Sequence, residues 1–134
     1  NRPADRIRAP WLDQSLNMVD PRVRRAVFFM AQNLSVIIST EDAAREAGLS
    51  PRQLERLFKD TLGEAPAEYL RSLRLKQANW LVRHTRKTIT DIATECGFAD
   101  SSHFAKWYKN SFGQPPARDR KLYGNREGLE MISS

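Results

Sequence analysis

Two short runs of this chain carry side chains suited to reading the edges of nucleic-acid bases. In the first, Arg52, Gln53, Glu55, Arg56 and Lys59 alternate with the apolar residues Leu54, Leu57 and Phe58, and Leu62 follows. In the second, Ser101, Ser102, His103, Lys106 and Lys109 alternate with Phe104, Trp107 and Tyr108, and Phe112 closes the run. Apolar residues three and four apart mark the buried stripe of a helix, so Leu54, Leu57, Phe58 and Phe104, Trp107, Tyr108 are expected inside and the polar sets outside. Arg bridges guanine bidentately, Gln pairs with adenine, and Glu accepts from the cytosine amine. A charged face opposite an apolar stripe is most often just solvated, so neither run decides the matter alone.

The weight comes from their being copies. Ala44-Arg45-Glu46-Ala47-Gly48-Leu49 recurs as Ala93-Thr94-Glu95-Cys96-Gly97-Phe98, an offset of 49. Phe58-Lys59, Gly63 and Pro66 recur as Tyr108-Lys109, Gly113 and Pro116, an offset of 50, so the second copy holds one extra residue at its turn. Arg56 and Lys59 correspond to Lys106 and Lys109. Helix, glycine turn, helix, stated twice, is the pattern of a duplicated helix-turn-helix.

The elements that must position these residues carry their own signals. Asp20 before Pro21 caps a first helix expected to run to about Asn33, with Val23, Val27, Met30, Ala31 and Leu34 on one face. Arg22, Arg24 and Arg25 oppose the positive end of its dipole, which leaves solvation or a phosphate to favour them. Ser39 with Asp42, and Thr88 with Asp91, have the spacing of helix starts. Each opens a short helix ending near Gly48 or Gly97, where glycine suits a left-handed turn. Ser50-Pro51-Arg52-Gln53 is a capping box with proline at the first helical position, and its helix should stop at Gly63. Its counterpart begins near Asp100 or Ser101 and stops at Gly113.

Between the copies a helix from Pro66 to His84 is predicted. Leu70, Leu73, Trp80 and Leu81 fall on one side of it, and Leu75, Ala78 and Val82 on the other, as for a strut packed against both units. Its ~19 residues at ~1.5 Å each span roughly 28 Å. That is close to the ~34 Å between successive major-groove turns on one face of B-DNA.

Composition narrows the classes. The net charge of +6 and pI near 9.9 fit a polyanion binder without proving one. One cysteine excludes an intrachain disulfide, and one cysteine with two histidines is too small a ligand set for structural zinc. Apolar stretches are broken well before the roughly 20 residues a membrane span needs, so a cytoplasmic setting is expected. Cys96, Asp100 and His103 offer the residue types of a nucleophile, orienter and base, but Cys96 just before a turn glycine has the place of a small packed side chain. No Gly-rich phosphate loop or paired carboxylates accompany them, so the expectation is no enzyme, no metal and no cofactor. His84 is expected as a helix-terminal cation or a packed ring.

With these residues in view, the chain resembles the DNA-binding domain of the AraC/XylS transcription regulators of bacteria over roughly Asp20 to Lys121. The first half carries Ala44, Gly48, Ser50, Arg52, Leu54, Arg56, Phe58-Lys59, Gly63, Pro66 and Tyr69. The second carries Ile92-Ala93, Cys96-Gly97-Phe98, Asp100, Ser102-His103-Phe104, Lys109, Phe112-Gly113 and Pro116, which is similar to the family's signature segment. The resemblance implies two helix-turn-helix units joined by a linker helix. It places base reading on Arg52, Gln53, Glu55 and Arg56, and on Ser101, Ser102, His103 and Lys106. RNA polymerase is the partner it implies, besides double-stranded DNA. The chain departs from the pattern at Asp119, three places after the second proline, where the family usually has an aromatic residue. The Arg2-Pro3-Ala4-Asp5-Arg6 stretch is similar to the linker of members whose partner domain resembles glutamine amidotransferases.

The resulting expectation is an all-α chain of about seven helices. Its parts are an arm or linker over 1–20, a first helix-turn-helix subdomain over 21–65 and a linker helix over 66–86. A second subdomain over 87–123 and a frayed or weakly helical tail over 124–134 complete it. A start without Met in a polar stretch fits the tail end of a longer protein, one that binds as a single chain or dimerises through another domain. The expected function is sequence-specific binding of double-stranded DNA, through Ser50, Arg52, Gln53, Glu55, Arg56, Lys59, Ser101, Ser102, His103, Lys106 and Lys109. The alternatives are a basic module that binds an acidic protein, and a binder in which only the first copy reads bases.

Overall fold

The computed structural model describes residues 11–12 and 19–133, with side chains described through residue 124. The expectations for the rest of the arm, including the linker-like stretch at residues 2–6, lie outside the described residues. Among the described residues there are seven helices and no strand. They are α1 (Pro21–Gln32), α2 (Thr40–Ala47), α3 (Pro51–Leu62), α4 (Pro66–His84), α5 (Ile89–Glu95), α6 (Ser101–Phe112) and α7 (Pro116–Ser133). The fold is all-α, as the periodicity implied. The expected tail is not a separate element, since α7 continues through Gly124 to Ser133.

Local chemistry starts and stops most of these helices. Asp20 accepts from the Arg22 backbone N–H at 2.8 Å and pairs with its guanidinium at 2.8 and 3.1 Å. That pairing holds the Asp20 carboxyl down at about 2 and answers one of the cations at the start of α1. Ser39 with Asp42 and Ser50 with Gln53 close reciprocal capping boxes at α2 and α3. Thr88 accepts from the Asp91 N–H, and Asp100 from the His103 N–H at 2.8 Å. The turns repeat as faithfully as the caps. Gly48 and Gly97 both take positive φ, 72° and 84°, and the next residue donates back five positions in each copy, Leu49 to Ala44 O and Phe98 to Ala93 O, both at 2.9 Å.

Two compact units result, and the boundary between them falls between Arg74 and Leu75, inside α4. In unit one Val23, Val27 and Met30 of α1 pack with Ala44, Leu54, Phe58, Leu70 and Leu73. In unit two Leu75, Ala78 and Val82 pack with Ile92, Ala93, Cys96, Phe104 and Tyr108. The two-sided reading of α4 is therefore corrected in one respect: Leu81 belongs to the second core and Trp80 packs against it, rather than going with Leu70 and Leu73. Position along the axis outranks angle, because a helix of roughly 28 Å outruns one small core.

Arginines tie the ends together within each unit. Arg74 donates to Leu34 O and Val36 O at 3.3 and 2.9 Å, satisfying carbonyls of the loop between α1 and α2. In unit two Arg120 donates to Val82 O at 2.9 Å, in the last turn of α4 where carbonyls lack intrahelical partners and a cation suits the dipole.

Candidate nucleic-acid interface

On α3, Arg52, Glu55, Arg56 and Lys59 are exposed, while Leu54 and Phe58 are fully buried and Leu57 packs against the core. At 100° per residue, Arg52, Arg56 and Lys59 share a stripe about 60° wide, with Glu55 beside it. On α6, Ser102, Lys106 and Lys109 form the same stripe one copy later, again fully on the exposed side. Each stripe is held in place from behind: Phe58 of α3 meets Tyr69 of α4 edge-on with ring centroids 5.7 Å apart, and Phe104 of α6 meets Phe98 of the preceding turn at 5.0 Å. The paired cations thus stand on rigid, well-capped helices of three turns.

Three of the sequence candidates have local duties. Ser50 Oγ accepts from the Gln53 N–H at 3.2 Å, and Gln53 Oε1 accepts from the Ser50 N–H at 2.9 Å, so this amide oxygen is committed to its own helix start. His103 occupies the matching position in α6, and its Nδ1 lies 3.1 Å from Asp100 Oδ2. Both third helical positions therefore serve the caps. The bond from the His103 N–H holds the Asp100 carboxyl below the usual carboxylate range.

One candidate core residue is on the surface. Trp107 was expected with Phe104 and Tyr108, yet 39% of it is open to solvent. Its Cα lies about 60° from that of Phe104 around α6, at the edge of the buried stripe, and an indole at an edge is too large to be covered by one small core. Leu57, its smaller counterpart, does pack against the core of unit one. Spacing alone could not separate the two; side-chain size at an edge position is the signal that could have.

The residue types of a nucleophile and base are not built into a site. Cys96 is fully buried in the second core, whereas Asp100 and His103 are exposed at the start of α6. His84 stays exposed in the last turn of α4, where its ring also meets those of Trp80 and Tyr123, with centroids 4.9 and 5.4 Å away. Among the described residues no group of three or more His, Cys, Asp or Glu could hold a metal ion. No described helix is long and apolar enough to cross a membrane.

What sequence reasoning missed entirely is a polar clamp behind α6. Asp119 of α7 is only 5% exposed. Its Oδ2 accepts from the Tyr108 hydroxyl at 2.5 Å and from Arg83 Nε at 3.1 Å, while Oδ1 accepts from Arg83 Nη2 at 3.0 Å. Asn79 Nδ2 donates to the Tyr108 hydroxyl at 2.9 Å and to Asp119 at 3.4 Å. Burial first, then the bond to Asp119, pushes the Tyr108 phenol well above its ordinary range, so it stays a neutral donor. The departure from the family pattern at Asp119 is thus a fully partnered carboxylate that joins α7, α6 and the C-terminal half of α4.

Two capped helix-turn-helix units, each with a basic outer stripe, define a double helix-turn-helix protein. Residues 43–122 match the helix-turn-helix domain family. The transcriptional regulator ArgR of Pseudomonas aeruginosa is 37% identical over 116 residues, which are 87% of this chain and 35% of that protein. A crystal structure of an AraC-type regulator from Chromobacterium violaceum superposes with a TM-score of 0.74 at 41% identity, covering 77% of this chain and 92% of that one. The DNA-binding domain of AdpA, crystallised with a target DNA, gives a TM-score of 0.74 at 25% identity, covering 80% and 96%. The chain belongs to the AraC/XylS family of helix-turn-helix transcription regulators. It spans about a third of the length of the curated relatives it matches.

Proposed function

We propose that this chain is the sequence-specific, double-stranded DNA-binding part of a bacterial transcription regulator, with α3 and α6 as its recognition helices. The observation that carries the reading is the pair of matching exposed stripes, Arg52–Arg56–Lys59 and Ser102–Lys106–Lys109, on helices whose other faces are buried. The AdpA domain, bound to its target DNA, supports it by likeness. Arg52 and Arg56 read base edges, with Glu55 beside them; Lys59, Lys106 and Lys109 neutralise phosphates or reach bases. Ser50 and Ser101 lie at the helix starts, where backbone N–H groups face a phosphate. Gln53 and His103 act chiefly by holding those starts in shape, with the Gln53 amide N–H groups directed to whatever faces them.

The two helices enter adjacent major-groove segments of one asymmetric site. Segments 21–65 and 87–123 serve as the two heads, and 66–86 as the link. The setting is the cytoplasm, RNA polymerase is the protein partner, and the chain carries out no catalysis; the burial of Cys96 supports the last point.

Selection of bound duplexes from a random library, followed by footprinting, tests this directly. Two protected boxes about one duplex turn apart are expected, and a basic module with no sequence preference would yield none. Arg56→Ala should weaken binding to the selected site by about 1–3 kcal/mol and relax preference at one base pair. Uniform weakening across all sequences would make Arg56 a phosphate contact.

A further inference from the structure

We propose that Tyr108 and Asp119 are positioning residues for base reading. Their clamp fixes the rotation of α6 about its own axis, and with it the selectivity of the box that α6 occupies. The inference rests on the DNA-binding reading above and deepens it. The outer stripe of α6 has little aim of its own. It offers Ser102, a short hydroxyl that suits several bases, and Lys106 and Lys109, whose ammonium groups act as point charges. None has the planar fork by which Arg52 and Arg56 recognise guanine. Such groups discriminate only when the helix that carries them is held in one orientation.

Tyr108 supplies that hold. Its Cα lies about 100–160° around α6 from those of Ser102, Lys106 and Lys109, so any roll of the helix that swings the buried ring also swings the stripe. Side chains reach roughly 5–6 Å from a helix axis, so a roll of about 20° moves their tips by about 2 Å. Hydrogen bonds span only about 0.5 Å in length, and a roll of that size undoes them. Apolar packing resists it weakly. Phe104, Tyr108 and Phe112 follow one another along the helix with ring centroids 5.7 and 4.7 Å apart, and apolar burial has no preferred direction. The phenol adds one. It donates to Asp119 Oδ2 of α7 and accepts from Asn79 Nδ2 of α4, so a single oxygen on α6 is tied to two other helices. Asp119 is in turn held by two nitrogens of Arg83, whose guanidinium lies over the Tyr123 ring, 5.0 Å from its centroid. In copy one the place of Tyr108 is taken by Phe58, which has no hydroxyl, and there the arginine forks carry their own direction.

The experiment compares the wild-type chain with Tyr108→Phe, which deletes the phenol oxygen and keeps the ring. In the duplex selected by the wild-type chain, each base pair of both boxes is changed singly. Affinities are measured at fixed salt, well below the melting midpoint of each protein, so that both units are folded. Tyr108→Phe should lose about fivefold of the discrimination in the α6 box, the order of one hydrogen bond, and none in the α3 box. A clamp that only stabilises would lower the melting midpoint and leave both discrimination ratios as they were, which overturns the proposal. An equal loss in both boxes overturns it too. Should Tyr108→Phe fail to fold, Asn79→Leu, which removes one bond to the phenol, decides by the same measurement. A loss confined to the α6 box supports the proposal, and unchanged ratios overturn it. A wild-type chain with no preference in the α6 box overturns it as well, and leaves DNA binding through α3 standing. Failure to select any duplex would overturn both.

Discussion

In unit one the ring of Phe58 meets that of Tyr69 edge-on, whereas fifty residues later Tyr108 and Asp119 meet through a hydrogen bond. The difference extends to the helix behind. Val23, Ala26, Val27 and Met30 of α1 have the same spacing as Leu75, Ala78, Asn79 and Val82 of α4, so the buried Val27 stands where unit two has Asn79. Arg83, one turn on from Asn79, then reaches the Asp119 carboxylate. The same architecture is thus pinned by an apolar socket in one copy and by a buried polar clamp in the other. An apolar socket loses stability in proportion to the area and volume removed. A polar clamp behaves as a unit, because removing any member strands a charge or donor that has already left water.

The largest effects should come from cutting each device. Phe58→Ala should destabilise unit one by about 3–5 kcal/mol in chemical denaturation, the range for emptying a buried aromatic site. Asp119→Ala removes far fewer apolar atoms, yet should cost about 3 kcal/mol, because Arg83 and Tyr108 lose their shared partner. A cost under about 1 kcal/mol for Asp119→Ala would mean that Arg83, a third exposed, simply turns to water, and the contrast between the copies would shrink.

A double-mutant cycle sharpens the comparison at intermediate size. Tyr108→Phe and Asp119→Asn should be coupled by about 1–2 kcal/mol, while Phe58→Leu and Tyr69→Phe should add to within about 0.5 kcal/mol. Equal coupling in the two copies would erase the distinction. A smaller effect concerns the helix starts. Ser50→Ala should cost about 1 kcal/mol through loss of the α3 cap, with no dependence on pH below neutrality.

The smallest effect separates the copies by pH. The cap of α6 is the ionised Asp100, whose carboxyl lies below its usual range because the His103 N–H bonds to it. A lowered folded value means that its contribution is fully present above the ordinary carboxylate pKa near 4 and is lost as pH falls through the folded value. The His103 amide should therefore lose protection on acidification before the Gln53 amide, and Asp100→Asn should abolish that difference. Tyr108 works at the other extreme. Its raised folded value means that its contribution holds below pH ~10 and fades as pH climbs above that, an effect that Tyr108→Phe should remove.

Much of the fold was legible because it is written in interactions three to five residues long. Ser50 with Gln53, Ser39 with Asp42, and the glycine turns at Gly48 and Gly97 need no distant partner to take their shape, and all appear as the spacing predicted. The outer stripes of α3 and α6 were legible for the same reason, since exposure follows from the apolar period. The roles of Gln53 and His103 were half visible: a capping spacing and a base-reading position coincide there, and the geometry favours the cap.

The sequence by itself determined the duplication, the seven helices, their starts and turns, and the basic stripes, since these depend on neighbours along the chain. Only the tertiary structure decided that Leu81 serves the second core, that Trp107 stays partly exposed, and that Asp119 is buried among Asn79, Arg83 and Tyr108. Two of those partners lie 36 and 40 residues from Asp119, and which distant groups meet is set by how helices pack rather than by any local pattern. An aspartate near a helix start reads as solvated until the fold surrounds it with donors.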